Sequence, residues 1–448
     1  AVGALTVDFV RSPDSLGPDG AGRYVIAVNS GYGIQFTSEG NKAQQSLSVI
    51  DLKHSGGPSV IQNVFFPTPQ SVNVGVDFAR KADQDGSYAM YVSGGFQNKI
   101  WIFKFQPSNT TPISPASPGP NTSVEAPFID VTGFTEVANS PRYNLNTAPV
   151  YPTGIALSSD NNTLFVANNL GDSLGVITDL RFERRLRRVD LRRPNNPEHQ
   201  TYPYGVVAKS NGSSIPSRTE KVYVSLWNDA SVAVIDPNNP DKPVNFIDVG
   251  QHPTKLLLNP DETRVFVASA NDDSVSVIDT RTDKELERIN VRLGEAGQLG
   301  NSPQGLALNQ NELYVANSHS NSIAIVNLGP QALGPTTQSV SGDEKEENEH
   351  RSGRSAVRGF IPTGQYPSAV MYVGGKVLVG NGKGTGVENS SLVVNNSGRV
   401  PNAPNDRFVT GTAGRQKQGG QYSVSLVVGN ISSIVRPDDL ALANYTHQ

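Results

Sequence analysis

One phrase is written several times along this chain. Residues 151–177 read YPTGIALSSDNNTLFVANNLGDSLGVI, residues 252–279 read HPTKLLLNPDETRVFVASANDDSVSVID, and residues 302–326 read SPQGLALNQNELYVANSHSNSIAIV. Pro152, Pro203, Pro253 and Pro303 recur at spacings of 51, 50 and 50 residues, and Pro367 follows 64 residues later. A repeat of this period excludes most single-core folds and requires copies of one supersecondary unit packed side by side.

Within each copy the apolar runs are short and rich in β-branched and aromatic residues. Val222-Tyr223-Val224-Ser225 and Val265-Phe266-Val267-Ala268 are examples. They suit strands and are too short for helices, and Asn-, Asp-, Gly- and Pro-rich turns separate them. Each copy therefore predicts an antiparallel sheet of about four strands, the blade of a β-propeller. Seven blades are expected, near 1–69, 70–150, 151–201, 202–251, 252–301, 302–365 and 366–436, with a tail at 437–448. The fold class is all-β, in one domain. No amphipathic helix of useful length is expected. Each terminal blade is expected to be built from its own segment, with the tail brushing only the first blade.

The Phe-Val-Ala-Asn, Tyr-Val-Ala-Asn and Val-Ile-Asp segments resemble the YVTN-type β-propeller repeat of secreted and cell-surface bacterial and archaeal proteins. The likeness is greatest from about 151 to 328. Residues Gly22–Gly33 and Asn381-Gly382-Lys383-Gly384 are similar to a branch in which the propeller precedes a phosphoesterase domain of the alkaline-phosphatase superfamily. The resemblance leaves open whether such a C-terminal domain was cleaved from this chain or was never part of it. None of that domain's motifs occurs here, so its activity does not carry over.

Composition narrows the function classes. Among 448 residues there are 43 Gly, 31 Pro and no Cys, with 36% hydrophobic residues. This is lean for a large core and ordinary for many short strands joined by turns. The absence of Cys removes disulfides, thiolate metal sites and Cys nucleophiles, and suits an oxidising compartment. A periplasmic, secreted or cell-surface location in a bacterium is expected. No apolar run is long enough to cross a membrane as a helix. A net charge of −4 argues against a generally cationic, nucleic-acid-binding chain. Eight Asn-x-Ser/Thr sequons are present, as the Ser/Thr content makes common.

Polar stretches interrupt the repeat at 106–127, 210–220, 339–358 and 386–420. They read as surface insertions, or as docking surface for a partner. Seven arginines fall within 181–193, including Arg184, Arg185, Arg187 and Arg188. They are placed on the outer strand of the third blade. Charge there protects a sheet edge from pairing, and it could also meet an anionic partner.

The lead-in loop to each first strand and the loop between second and third strands should share one end of the propeller. Repetition then rings that end with Tyr204, Trp227, His252, Asn271, Asp272, His319, Tyr366 and Lys383, a candidate ligand or partner site. The competing reading is that the Asn and Asp residues only close their own turns. Six His without paired spacing give only a weak zinc signal, and no cofactor motif is present. Linear catalytic motifs are missing as well. The expected function is an extracytoplasmic binding or scaffold propeller that captures a protein or self-associates. Propeller hydrolase or lactonase, and self-assembling surface protein, are the alternatives.

Overall fold

The structure is a computed structural model that describes residues 7–30, 45–67, 69–116, 119, 122–132, 136–138, 150–212, 219–239, 242–293, 300–334, 353–383 and 429–446. Seven antiparallel sheets follow one another along the chain as the blades of a propeller. Their innermost strands are Val7–Arg11, Val76–Phe78, Pro152–Leu157, Pro203–Ser210, Pro253–Leu258, Pro303–Asn309 and Pro367–Val373. From these, consecutive strands pair outward in sequence order, and in blade 3 the earlier segment Glu136–Ala138 is added outside the fourth strand.

Burial explains the residue choice. Middle strands such as Arg264–Ser269 and Ser274–Asp279 are buried on both faces, because each blade is sandwiched between two others. Arg264–Ser269 accordingly carries the continuous apolar run Val265–Ala268, while Ser274–Asp279 intersperses small buried serines with its valines. The outer strand Lys284–Asn290 does alternate, with every second residue facing solvent. The apolar side chains gather into seven clusters, one at each blade interface. The last joins Phe9, Val25 and Ala27 of blade 1 to Ala369, Val373 and Leu378 of blade 7 and so closes the ring. Ser368 Oγ adds a bond from the Val7 N–H at 2.8 Å. Both terminal blades draw their described strands from their own segments, as expected.

A bulge recurs at the start of the inner strand in blades 3 to 7, between Pro152 and Ile155 and at its equivalents. It lets the Pro-Thr-Gly backbone press against the next inner strand. A Cβ on Gly154 would lie 2.4 Å from the Tyr204 carbonyl oxygen, and one on Gly205 2.5 Å from that of Thr254. Glycine in the repeat is thus a close-approach requirement.

Four expectations need correction. The segment 106–127 is not a free loop: Ile113–Ser114 pairs with Lys104–Phe105, and Gln62 and Gln70 each clamp its backbone from blade 1 and its junction. The segment 339–358 overlaps a strand, since Ala356–Pro362 is the outer strand of blade 6. The arginine-bearing strand Arg185–Asp190 is not a sheet edge, because Glu136–Ala138 pairs with it in parallel. The tail forms a helix, Asp439–Thr446, which packs on the outer strand of blade 6 and not on blade 1. Leu442 is buried there in the cluster between blades 6 and 7. The insertion at 386–420 and residues 339–352 lie outside the described residues. Among the described residues no helix is long and apolar enough to cross a membrane.

Candidate functional site

One end of the propeller carries a repeated clasp. In blade 3 the N–H groups of Leu170 and Asn169 donate to the carbonyls of Val150 and Tyr151. The same two bonds recur from Asn228 and Trp227 to Thr201 and Tyr202, and from Asn271 and Ala270 to Gln251 and His252. They recur again in blades 6 and 7. The lead-in loop and the loop between second and third strands therefore do share one end.

A second element of the clasp runs between blades. Asn98, Asp172, Asp273 and Asn321 end their loops in the left-handed conformation, with φ of 54°, 45°, 47° and 51°. Each turns a side-chain oxygen onto the lead-in backbone of the following blade. Asn98 Oδ1 accepts from Val150 and Tyr151 at 3.1 and 2.9 Å. Asp172 Oδ1 accepts from Thr201 and Tyr202 at 2.7 and 3.2 Å. Asp273 Oδ1 accepts from Asn301 and Ser302 at 2.8 and 3.0 Å, and Asn321 Oδ1 from Tyr366 at 2.8 Å. The receiving residues Tyr151, Tyr202, Ser302 and Tyr366 are themselves left-handed. Burial pushes the Asp172 carboxyl up from its usual range, against the pull of the Thr201 and Tyr202 N–H groups. Burial also lifts the Tyr151 phenol to about 12. The Asx side chains thus join neighbouring blades, a role beyond closing their own turns.

The predicted rim residues are brought together in two groups. The Trp227 and His252 rings stack at 3.9 Å with 5° between their planes, and Tyr202 meets Trp227 edge-on at 6.3 Å. Asn271 and Asp272 stand on the next loop, with Asp272 3.4 Å from Arg288. In the second group His319 lies 5.6 Å from Tyr366, and Lys383 Nζ sits 4.9 Å from the centre of the Tyr366 ring. Tyr366 itself is buried, whereas His319 and Asn271 are exposed.

Tyr204 belongs elsewhere. It lines the central channel with residues from every inner strand, including Asp8, Lys255, Gln304 and Ser368. The cavity there is about 80 Å3. Ligand pockets usually need about 300–1,000 Å3. Lys255 Nζ reaches Asp8 Oδ2 at 2.6 Å, from blade 5 to blade 1. Sequence reasoning missed both residues, since no local pattern pairs positions this far apart.

The arginine run divides. Arg184 and Arg185 are exposed, and Arg187 is half-buried. Arg188 is 0% exposed and donates to the carbonyls of Val131 and Thr132, so it faces the protein and not a partner. Its burial brings the guanidinium down to about 10. Arg193 is held by Asp229 and Asp248 at 2.8 and 2.7 Å. Among the described residues no group of three or more His, Asp or Glu stands where it could hold a metal ion.

No family model matches this chain, and no curated protein matches it. Solved structures do. The chain is similar to the structure titled U3-55K, with 12% identity, 85% of this chain and 89% of the other covered, and a TM-score of 0.51. It is similar to the hydrazine synthase of Kuenenia stuttgartiensis, with 16% identity, 84% and 92% covered, and a TM-score of 0.50. The periplasmic gluconolactonase of Pseudomonas aeruginosa gives 15% identity, 73% and 82% covered, and a TM-score of 0.48. At these identities the two likenesses with TM-scores of 0.50 and 0.51 show the fold alone and nothing about activity.

Proposed function

We propose that this chain is an extracytoplasmic binding or scaffold propeller of the YVTN-repeat type, which captures its partner on the rim bearing Trp227 and His252. The observation that carries this reading is the Trp227–His252 stack, flanked by Tyr202. Large aromatic side chains held on a rigid strand framework contribute contact area at little entropic cost. The neighbouring loop supplies the exposed Asn271 for hydrogen bonds. The small channel cavity, crossed by the Asp8–Lys255 pair, favours surface recognition over chemistry on the axis.

The test is a pull-down from the native envelope with the wild type and with Trp227, His252 and His319 replaced together by Ala. Loss of the captured partner with unchanged thermal stability supports the rim. Equal capture by both proteins rejects it. Native mass at high concentration addresses self-assembly, which a strict monomer excludes.

A further inference from the structure

Among the described residues a side-chain oxygen links neighbouring blades at four junctions, with two N–H bonds at Asn98, Asp172 and Asp273 and one at Asn321, and a fifth junction lacks that oxygen. Where Asn98, Asp172, Asp273 and Asn321 stand at their junctions, the loop of blade 4 carries Ala230. The backbone frame is otherwise retained. Ala230 keeps the left-handed φ, at 48°, and His252 keeps the left-handed φ of the receiving residue, at 53°. The Val249 N–H donates to the Ala230 carbonyl at 2.9 Å, as those of Leu191 and Val291 do to Asp172 and Asp273. Gln251 and His252 keep the two carbonyl bonds described above. Among the described residues their N–H groups have no acceptor, because the residue that would supply one is an alanine.

Two further observations point to a ligand at this place. His252 Nδ1 is shielded from solvent and has no hydrogen-bond partner. The only aromatic stack of the described rim, Trp227 on His252, stands at this same junction. Of the nearby carboxylates, Asp229 shares Arg193 with Asp248, and Asp272 shares Arg288 with Glu285.

We propose that the junction between blades 4 and 5 is a receptor for an aromatic carboxylate, whose carboxylate oxygen takes the place that Asp172 and Asp273 oxygens hold at their own junctions. The backbone N–H groups of Gln251 and His252 bind the oxygen, and the aromatic group of the ligand packs beside Trp227. A free C-terminal carboxylate next to an aromatic side chain meets both requirements. Paired backbone N–H groups around a left-handed residue are a general way of holding an anionic oxygen. This inference rests on the rim reading and names the chemistry of its ligand.

Trp227 is one of two tryptophans, and the other, Trp101, is buried, so intrinsic fluorescence reports on the junction. The probes are N-acetylphenylalanine and its C-terminal amide. The acid should give a saturable change in the wild type, with the amide about tenfold weaker or worse. Ala230→Asp and Ala230→Asn place an oxygen on the Gln251 and His252 N–H groups from within. Both variants should melt no lower than the wild type and bind the acid about tenfold more weakly. Equal binding of acid and amide, undiminished binding by both folded variants, or no saturable binding of the acid overturns the proposal. If the proposal fails while the triple rim variant still loses its partner, the rim stands with a ligand of other chemistry.

Discussion

Lys255 Nζ lies 2.6 Å from Asp8 Oδ2 and joins blade 5 to blade 1 across the propeller axis. The position of Lys255 in the inner strand is occupied by Gly154, Gly205 and Gly305 in blades 3, 4 and 6. Ala369 at this position in blade 7 packs between blades 7 and 1, whereas the Lys255 side chain enters the channel and is long enough to span it. The pair is partly solvated, so its net worth is modest, about 0.5–1 kcal/mol. A double-mutant cycle with Lys255→Met and Asp8→Asn, read by chemical denaturation, should return a coupling of that size. Strict additivity would mean that the pair contributes nothing.

The glycines that flank this position predict a larger effect. Gly205→Ala would put a Cβ 2.5 Å from the Thr254 carbonyl oxygen, and Gly154→Ala 2.4 Å from that of Tyr204. Backbone on both sides cannot move without parting two blades. Each substitution should cost about 1–3 kcal/mol. Gly20→Ala, where nothing lies within 4 Å but φ is +79°, separates backbone strain from crowding. Its expected loss is about 1 kcal/mol, by the same denaturation measurement.

Much of this architecture is legible in the chain, and the reason is local. Alternating or continuous apolar runs record whether a strand has one blade or two against it, so Val265–Ala268 and its copies mark the framework directly. Asn and Asp in the loops were legible as turn residues or as rim contacts, not as links between blades. Their bond to the following blade depends on a left-handed backbone that sequence shows for Gly but not for Asp172 or Asp273. Ala230 stood out as a departure from neither turn nor strand. It gains meaning once the oxygen missing from it is seen at four other junctions. The buried Arg188 was unreadable for a different reason: the Val131 and Thr132 carbonyls it meets, and the strand 136–138 paired beside it, lie outside its own repeat.

Acid should loosen the contact between blade 6 and the chain end. Glu312 accepts from Arg436 Nε at 2.9 Å and from the Tyr314 hydroxyl at 2.7 Å, with Arg358 at 3.3 Å. Burial raises its pKa, but the Arg436 and Tyr314 hydrogen bonds and the two guanidinium charges outweigh it and hold the carboxyl below its ordinary 4.5. A folded pKa below the unfolded one gives stability that is present above about pH 4.5 and is lost as pH falls through the folded value. Glu312→Gln should therefore cost roughly 1–3 kcal/mol near neutrality and progressively less toward pH 3. Melting curves of both proteins from pH 7 to pH 3 check this; a constant gap across that range contradicts it.

The chain end supplies the last prediction. Gly359 lies so close to the tail helix that an added Cβ would meet Leu442 Cγ at 2.7 Å. Thr446 Oγ1 accepts the Phe360 N–H at 3.0 Å. Arg358 reaches Asp439 at 2.6 Å. Leu442 is 2% exposed, whereas Leu440 on the same helix is 75% exposed. Burial thus assigns the docking energy to one face. Leu442→Ala should lose about 2–5 kcal/mol, and Leu440→Ala within about 0.5 kcal/mol of nothing. Truncation after Arg436 removes the whole contact and should lower the melting temperature by at least as much as Leu442→Ala. A truncated protein that melts with the wild type would show that the helix rests on blade 6 without holding it.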